Sequence, residues 1–499
     1  MGEGESGDTV KTLTQLGLHA RDGREARVSG LSVDSRTVRP GHLFAALPGV
    51  RVHGAEFISY ALRMGAAAVL TDRAGMRIAA EALAASDAAV VVAEDPRQAL
   101  AYAAALWFGA QPEVMVAVTG TNGKTSVATF TRQIWEHLGR KAANLGTTGV
   151  EGAYGAPLAH TTPEPITLHR LLADMAAAGV THAAMEASSH GLAQRRLDGV
   201  RLAAAGFSNF TQDHLDYHAD FQDYFNAKAG LFTRVLPEEA SAVINIDDDK
   251  GPLLAELAHK RGAHVLTVGR AEGADLRLTH LRFGHTGQEV RFHWRGKAQL
   301  ARLNLIGGFQ AENVLLAAGL AIVTGEEPAA VFDSFEALTT VRGRMQLVAT
   351  RTNGAAVFVD YAHTPDALAT ALRALRPHVM GRLIVVFGAG GDRDRSKRAL
   401  MGQAAAQNAD IAIVTDDNPR SEDPAAIRAM VRAGCPGAHE VGDRAEAILR
   451  GVDMLEPGDA LLIAGKGHET GQVVGDDVLP FDDAEQASVA VAALEGRRP

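Results

Sequence analysis

Residues 119 to 126 read T-G-T-N-G-K-T-S, and the surroundings of this segment restrict the fold more than any other part of the chain. An apolar, valine-rich run (EVMVAV) precedes it, and apolar residues at helical spacing follow it, namely Val127, Phe130, Ile134 and Leu138. This order predicts a buried strand, a glycine turn and a helix. Such a turn presents backbone N–H groups and the positive end of a helix dipole to an anion. The segment therefore indicates a phosphate-binding loop.

The spacing of its glycines departs from the standard nucleotide loop. That loop has four residues between its glycines, whereas here only Thr121 and Asn122 separate them. Lys124 would still supply a positive charge, and Thr125 a hydroxyl group for a metal ion. The alternative is a tight strand-to-helix turn that carries an exposed lysine. The flanking elements favour phosphate binding.

Composition limits the class of protein. A chain of 499 residues, 46% hydrophobic and 22% charged, is typical of a globular protein of about three domains. Its 49 basic and 59 acidic residues give a net charge of -10, which argues against nucleic acid and anionic membranes as partners. The single cysteine, Cys435, excludes an intramolecular disulfide. Without a signal peptide or an apolar run of membrane length, we expect a cytoplasmic protein with no membrane insertion.

The order of apolar and polar segments predicts an α/β fold of three domains. Residues 1–93 mix short strands with a helix near 56–65, as in a small mixed α/β domain. Residues 94–342 open with a helix and the phosphate loop and then alternate strands with helices, which predicts a central P-loop-type domain with a parallel sheet. Residues 343–499 alternate again, with strands AAVFVD, RLIVVF, DIAIVT and DALLIA, which predicts a Rossmann-like parallel sheet.

Polar segments follow the four strands of the last domain. They are DYAHTPD (360–366), GAGGDRDRSKR (388–398), DDNPR (416–420) and GKGHE (465–469). Ligands of open parallel sheets bind outside the carboxyl ends of the strands, so these segments together predict a site for a charged small molecule. Any one of them alone is more typical of a solvent-facing turn.

A second polar cluster follows two strands of the central domain. Its acids and histidines could approach the phosphate loop; they are Glu186, His190, Asp213, His214, Asp216 and His218. Oxygen ligands beside a phosphate loop favour Mg²⁺ over zinc. The alternative for DHLDYH is a polar helix start capped by Asp213.

Taken in order, these segments resemble a known family. TGTNGKTS, TTPEP (161–165), EASSHGL, SNFTQDHLDYH, YFNAKAGLF (224–232), DYAHTPD, GGDRDRSKR, DNPR and GKGHE are similar to segments of the Mur ligases, the ATP-dependent amide-bond synthetases of peptidoglycan precursor assembly. LSVDSRTVRPGHLF (31–44) resembles the uridine-binding segment of their first domain. The resemblance covers essentially the whole chain, and the family shares the shortened GTNGKT loop.

The resemblance implies a reaction. A family member of this pattern adds meso-diaminopimelate to the D-Glu side-chain carboxylate of UDP-MurNAc-L-Ala-D-Glu, through an acyl phosphate, with ATP as co-substrate and Mg²⁺ as cofactor. We expect a monomer. An L-lysine-adding ligase or a folylpolyglutamate-type ligase is the alternative within the class. A nucleotide-hydrolysing switch or transport ATPase is the alternative outside it, although a switch needs no site for a charged amino acid.

The resemblance also implies roles for individual residues. The ATP phosphates are assigned to Gly120, Thr121, Asn122, Gly123, Lys124, Thr125 and Ser126, and the remainder of ATP to Asn313, Arg344, Asp360 and His363. Mg²⁺ is assigned to Thr125, Glu186, His214 and Lys228, the last as a carbamate, and catalysis to Lys124, Lys228, His214 and Glu186. UDP-MurNAc-dipeptide is assigned to Ser35, Thr161, Thr162, Ser188, Gln194 and Arg196. Diaminopimelate is assigned to Arg393, Asp417, Asn418, Arg420, Gly465 and Glu469.

Four positions depart from the family pattern. His53 stands in place of an Asp, Gln310 of an Asn, Arg342 of a Pro and Gln346 of a Glu. They affect the expected details of uridine and ATP contacts and leave the reaction class unchanged.

Overall fold

The computed structural model describes residues 9–49, 52–211, 217–284 and 287–496. The chain divides into two compact units. The first unit comprises Met1–Lys124, Thr131–Thr267 and Gly319–Glu326, and the second comprises Thr125–Phe130, Val268–Ala318 and Glu327–Pro499. Within the described ranges, no helix combines the length and the apolar character that a membrane span requires.

The amino-terminal part of the first unit is a small parallel sheet with helices. A short antiparallel pair comes first, β1 (Lys11–Thr12) with β2 (Arg27–Val28). The parallel strands follow in chain order: β3 (Gly30–Ser32), β4 (His42–Ala45), β5 (Ala68–Thr71) and β6 (Ala89–Val92). The helices are α1 (Ile58–Arg63), α2 (Arg73–Ile78), α3 (Ala80–Ala84) and α4 (Pro96–Phe108). The short strands and the helix expected near 56–65 are confirmed.

The rest of the first unit is built on a larger sheet. Its strands are β7 (Val114–Thr119), β8 (Ala142–Gly146), β9 (Gly149–Gly152), β10 (His182–Glu186), β11 (Ala204–Phe207) and β12 (Ser241–Asn245), in the spatial order β12-β11-β7-β10-β8-β9. All neighbours are parallel except β8 and β9. The helices are α5 (Lys124–His137), α6 (Pro165–Ala177), α7 (Ser189–Ala193), α8 (Phe221–Gly230) and α9 (Gly251–Lys260). Because the strands are parallel, Thr119, Glu186 and Phe207 end at the same edge of the sheet.

An antiparallel section of sheet lies in the second unit, after residue 268. Strand β13 (His264–Gly269) pairs in parallel with β14 (Leu276–Gly284) through Val268 and Leu276. The following strands β15 (Gly287–Trp294) and β16 (Lys297–Leu303) extend this sheet in antiparallel fashion. Helices α10 (Gly308–Val323) and α11 (Pro328–Asp333) follow. The alternation of strands and helices expected as far as residue 342 is therefore wrong for 276–303, where the period-two pattern of QEVRFHW is typical of a half-exposed strand.

A third, mainly parallel sheet forms the remainder of the second unit. Its strands are β17 (Gln346–Thr350), β18 (Ala356–Asp360), β19 (Leu383–Phe387), β20 (Ile411–Val414), β21 (His439–Glu440) and β22 (Ala460–Ala464), in the order β17-β18-β22-β19-β20-β21. Only β17 is antiparallel. A hairpin of β23 (Gly471–Val474) and β24 (Asp477–Pro480) follows. The helices are α12 (Pro365–Leu375), α13 (Ser396–Asn408), α14 (Pro424–Arg432), α15 (Arg444–Asp453) and α16 (Asp483–Leu494).

Both faces of this sheet are covered. Phe358, Val385 and Leu462 belong to one apolar cluster, and the alternate residues Val357 and Ile384 belong to the other. The four strands predicted from their apolar runs are confirmed. Their carboxyl ends lie at one edge, which brings the polar segments after them together.

Candidate active site

The phosphate loop connects β7 to α5, as predicted. Gly120 has φ +147°, and a Cβ atom there would lie 2.0 Å from Ser208 Oγ, so only glycine fits. The backbone N–H of Thr121 donates to Asn209 O (2.8 Å), and that of Asn122 donates to Asn209 Oδ1 (2.9 Å). The segment after β11 therefore holds the loop in place. Gly123, with φ +86°, starts helix α5, so that the amino end of the helix follows the loop directly.

Two lysines converge on one carbonyl group of this loop. Lys124 Nζ donates to Gly120 O (3.0 Å) and to Thr121 O (2.9 Å). Lys228, on helix α8, donates to the same Gly120 O at 2.7 Å. The loop thus carries two ammonium groups beside its first glycine, a charge arrangement that suits a phosphate.

Lys228 is 1% exposed, so it is not the solvated helix lysine that a lone Lys in a helical pattern more commonly represents. Its ammonium also lies 4.6 Å from the centre of the Tyr224 ring. As an ammonium it complements Gly120 O. A carbamate at that place would set an anion against the carbonyl oxygen, so the modified side chain would require another rotamer.

Glu186 ends β10 and is 1% exposed. Its Oε1 accepts from the backbone N–H of Thr147 (2.7 Å), and its Oε2 accepts from the Thr147 hydroxyl (3.3 Å). That hydroxyl also lies 3.2 Å from the hydroxyl of Thr161. Thr147 thus joins a predicted metal ligand to a predicted dipeptide contact. Sequence reasoning missed Thr147, although it follows strand β8, whose end lies at the same edge of the sheet.

The other predicted dipeptide contacts of the central sheet lie beside Glu186. Thr162 Oγ1 donates to Glu186 O (3.0 Å) and accepts from the backbone N–H of Ser188 (3.1 Å). Arg196 donates to Thr162 O (2.5 Å) and to Gln194 Oε1 (2.8 Å). Burial lowers the pKa of Arg196, so an anionic group beside it would be favoured.

Ser35 is the remaining residue predicted to contact UDP-MurNAc-dipeptide. Ser35 begins a short 3-10 helix, Ser35–Thr37, which is capped by Asp34. His214 lies outside the described residues, as do Asp213 and Asp216.

The described part of the chain contains no group of three or more His, Cys, Asp or Glu side chains placed to hold a metal ion. The donors that the loop and its surroundings do offer are oxygens, the Thr125 hydroxyl and the Glu186 carboxylate, and oxygen donors suit Mg²⁺. The residues present therefore fit Mg²⁺ better than zinc.

The residues predicted to contact ATP beyond its phosphates lie in the second unit. Asp360, at the end of β18, accepts from the backbone N–H groups of Met345 (2.7 Å) and Ala362 (2.8 Å). Burial raises the pKa of Asp360, and the charge of Arg344 opposes that rise. The Arg344 guanidinium lies 4.7 Å from the centre of the Tyr361 ring and so forms a cation–π contact with it.

His363 adjoins the same aromatic ring, with a centroid distance of 4.5 Å to Tyr361. Asn313 lies on α10 and donates to Gln310 Oε1 (3.1 Å). Gln310 therefore has the same amide group as the Asn that is usual at this position, and its hydrogen bond orients the Asn313 side chain.

The other three departures from the family pattern also have defined partners. Gln346 Oε1 accepts from the backbone N–H of Gly343 (2.7 Å), which a Glu carboxylate would do equally well. His53 Nδ1 accepts from the backbone N–H of Ala55 (3.0 Å), the capping bond that an Asp would provide. Arg342 pairs with Asp482 (2.7 Å).

Polar residues from three strand ends meet around the DNPR segment. Asn418 Nδ2 donates to Glu469 Oε2 (2.9 Å). Asp417 faces Gly465, where a Cβ atom would lie 2.5 Å from Asp417 Oδ2. Both carboxylates therefore border one place beyond β20 and β22, as the sequence pattern predicts.

Arg420 lies on the other side of this segment. It has φ +51°, and its NH1 donates to Gly391 O (2.8 Å). A Cβ atom at Gly390 would lie 2.9 Å from Arg420 NH1 and 3.7 Å from Arg393 Cγ, so the two arginines flank the same glycine. Arg393 itself is exposed.

Glu422 lies two residues from Arg420 in sequence but pairs with other arginines. Its oxygens accept from Arg398 (2.7 Å), on α13, and from Arg395 (3.0 Å). These contacts hold the pKa of Glu422 at about 2, with the Arg398 hydrogen bonds as the main cause. Within the described ranges no carboxylate lies within 4.0 Å of the Arg420 guanidinium, which can therefore receive a carboxylate from a ligand.

Comparison with known proteins decides the family. Three family models match the chain: "Mur ligase family, catalytic domain" over residues 27–107, "Mur ligase middle domain" over 118–321, and "Mur ligase, glutamate ligase domain" over 343–467. The chain belongs to the Mur ligase family.

Relatives within this family are similar over nearly their whole length. A UDP-N-acetylmuramoyl-L-alanyl-D-glutamate–2,6-diaminopimelate ligase of Bradyrhizobium diazoefficiens is 52% identical over 475 residues, covering 93% of this chain and 95% of the relative. The ligase of the same name from Agrobacterium fabrum is 49% identical and covers 99% of both chains. A solved structure of a ligase with this name has a TM-score of 0.73 at 34% identity, and the match covers 98% of this Mur ligase and 100% of the other chain.

Proposed function

We propose that this Mur ligase joins meso-diaminopimelate to the D-Glu side-chain carboxylate of UDP-MurNAc-L-Ala-D-Glu and converts ATP to ADP and phosphate. The observation that carries the proposal lies beyond one sheet edge. There Arg420, which has no carboxylate partner among the described residues, occurs together with two carboxylates. Arg420 offers a planar fork to a carboxylate, and Asp417 and Glu469 offer oxygens to an ammonium group. The names of the relatives support the same substrate.

The distal end of meso-diaminopimelate matches this arrangement. It carries both a carboxylate and an ammonium group, far from the amine that reacts. Asn418 and the backbone of Gly465 would orient it, and Arg393 would add a second guanidinium at the exposed side. L-Lysine has the ammonium group and lacks the carboxylate, so it would leave Arg420 unpaired.

The phosphate loop would bind the second substrate, ATP. Its backbone N–H groups from Gly120 to Ser126, with Lys124, would hold the ATP phosphates. Asn313, Arg344, Asp360 and His363 would contact the rest of ATP.

In the first step a D-Glu carboxylate oxygen attacks the γ-phosphorus, the bond to the β-phosphate oxygen breaks, and ADP leaves. Lys124 would neutralise part of the negative charge that gathers on the transferred group. Thr125, Glu186, His214 and a carbamylated Lys228 would hold Mg²⁺, which when bound supplies further positive charge beside the phosphates.

In the second step the amine of diaminopimelate attacks the acyl carbon. The C–O bond to phosphate breaks, inorganic phosphate leaves, and the nitrogen loses a proton as the amide forms. The muramyl dipeptide would be held by Ser35, Thr161, Thr162, Ser188, Gln194 and Arg196.

We place the domain boundaries at residues 93/94 and 342/343, and we expect a monomer that acts in the cytoplasm, where ATP is present.

One experiment tests the function. The purified protein is incubated with ATP, Mg²⁺ and UDP-MurNAc-L-Ala-D-Glu together with meso-diaminopimelate, L-lysine or L-glutamate, and the products are identified by mass spectrometry. We expect the meso-diaminopimelate adduct in large excess, and ADP release that requires both the nucleotide-linked dipeptide and the amino acid. Preferential addition of lysine, or ADP release without an acceptor, would contradict the proposal.

A further inference from the structure

Lys466 is a fully buried lysine in the GKGHE segment, directly after β22. Its Nζ donates to Asn418 Oδ1 (3.1 Å), to Glu469 Oε2 (3.2 Å) and to Gly471 O (2.5 Å). An ammonium group has three N–H donors, and these three acceptors satisfy all of them. Burying a charged group is unfavourable unless the group is paired and hydrogen-bonded. Because lysine is rarely buried, its presence here indicates a role for the positive charge beyond packing.

Its first partner is the amide of Asn418. Asn418 Oδ1 also accepts from the backbone N–H of Val473 (2.9 Å), on the hairpin strand β23. Lys466 Nζ and this N–H can only donate, so the amide oxygen must face them. The amide nitrogen is therefore turned toward Glu469.

Its second partner is the carboxylate of Glu469. Glu469 Oε2 accepts from both Lys466 and Asn418, whereas no described residue donates to Oε1. The Glu469 side chain is 34% exposed. One oxygen is thus anchored by a positive charge, and the other remains for an ammonium group of a ligand.

The four side chains balance in charge. Asp417 and Glu469 are acids, Arg420 is the partly buried cation that faces the site, and Lys466 is the buried cation behind it. A balanced site suits a distal group that is itself zwitterionic. Without Lys466 these two acids would face Arg420 and only the exposed, more strongly screened Arg393, and a group that carries only an ammonium would be attracted more strongly.

We propose that Lys466 is a positioning residue that sets the selectivity of the site for a zwitterionic over a purely cationic amino-acid side chain, by neutralising and orienting Glu469. The inference rests on the proposed function.

The test compares two amino acids in one variant. Lys466→Met keeps an unbranched apolar stem and removes the charge. We expect the ratio of kcat/KM for meso-diaminopimelate to that for L-lysine to fall by about tenfold or more, since one partner of a buried charge pair is lost. The change should lie mainly in KM, because the distal end is remote from the reacting amine. Lys397→Met, which removes a partly exposed lysine on α13, is the matched control and should leave the ratio within about twofold of wild type.

A merely structural role would lower both kcat/KM values together and leave their ratio unchanged, and that result in a folded Lys466→Met protein overturns the inference. Glu469→Gln provides a second, independent test, in which the same ratio of kcat/KM values should change in the opposite direction. It leaves the Lys466 ammonium without a carboxylate, so lysine should lose more than meso-diaminopimelate and the ratio should rise. A ratio that stays constant or falls in Glu469→Gln overturns the inference even if Lys466→Met does not fold. A wild-type protein that forms no meso-diaminopimelate adduct overturns the proposed function itself and the inference with it.

Discussion

Arg420→Ala should remove most of the preference for meso-diaminopimelate. The Arg420 guanidinium is held by Gly391 O at 2.8 Å and has no carboxylate partner among the described side chains, so the proposed ligand carboxylate would be its ion-pair partner. Truncating one partner of a buried charge pair costs about 2 to 5 kcal/mol, and the partial exposure of Arg420 places the expected loss near the lower end, about 2 to 3 kcal/mol. That corresponds to roughly 30- to 150-fold in kcat/KM for meso-diaminopimelate.

The same change should affect L-lysine little, because lysine has no distal carboxylate to lose a partner. Backbone strain does not affect the comparison of the wild type with Arg420→Ala. Arg420 already has φ +51°, and alanine, also an L residue, would have the same strain at that position. The lost bond to Gly391 O would cost about 1 kcal/mol of stability, which thermal denaturation would detect separately.

Arg395→Ala is the matched control for this experiment. Arg395 lies in the neighbouring polar segment, its side chain is 66% exposed, and it pairs with Glu422, which keeps Arg398 as a partner. Steady-state assays of both variants with both amino acids should therefore show loss of selectivity only in Arg420→Ala. Wild-type kcat/KM for meso-diaminopimelate in a folded Arg420→Ala protein would refute the reasoning.

Three further predictions concern the first unit. Lys124→Ala should reduce kcat by at least about 100-fold, as loss of a group that stabilises transition-state charge does, while the melting temperature changes little; near-normal ligation by the folded variant would contradict the role of the loop. Lys228→Ala should lose ligation and regain part of it on addition of a small carboxylate such as formate, whereas full activity without the additive would exclude a carbamate. Burial lowers the pKa of His169 from 6.5 to about 4, so the unfolded chain binds a proton that the folded chain excludes. The stability that His169 contributes should therefore fall as the pH falls from 6.5 to 4, by roughly 3 kcal/mol, and denaturant titrations of His169→Gln should show a correspondingly shallower pH dependence over that range.

Local sequence was sufficient for the phosphate loop and for the strands of the last sheet. A strand, a glycine turn and a helix are defined by neighbouring residues. TGTNGKTS and its flanking residues were therefore enough to predict these elements, despite the irregular spacing of the glycines. The same holds for the polar segments after β18, β19, β20 and β22, because parallel strands place their carboxyl ends at one edge wherever they occur. Residues 276–303 were missed because their period-two pattern lies between stretches of helical spacing, and the prediction extended the α/β alternation across them.

Contacts between distant segments were decided only by the tertiary structure. Lys228 reaches Gly120 from 108 positions away, and Glu186 accepts a hydrogen bond from Thr147, which is 39 positions away. Glu422 pairs with Arg398, which is 24 residues away in sequence, and not with Arg420, which is two residues away. Local patterns specify backbone conformation. The choice of ion-pair partners depends instead on where the folded chain places the elements that carry the charges. A buried group such as Lys466 is accommodated only where each of its N–H donors has an acceptor.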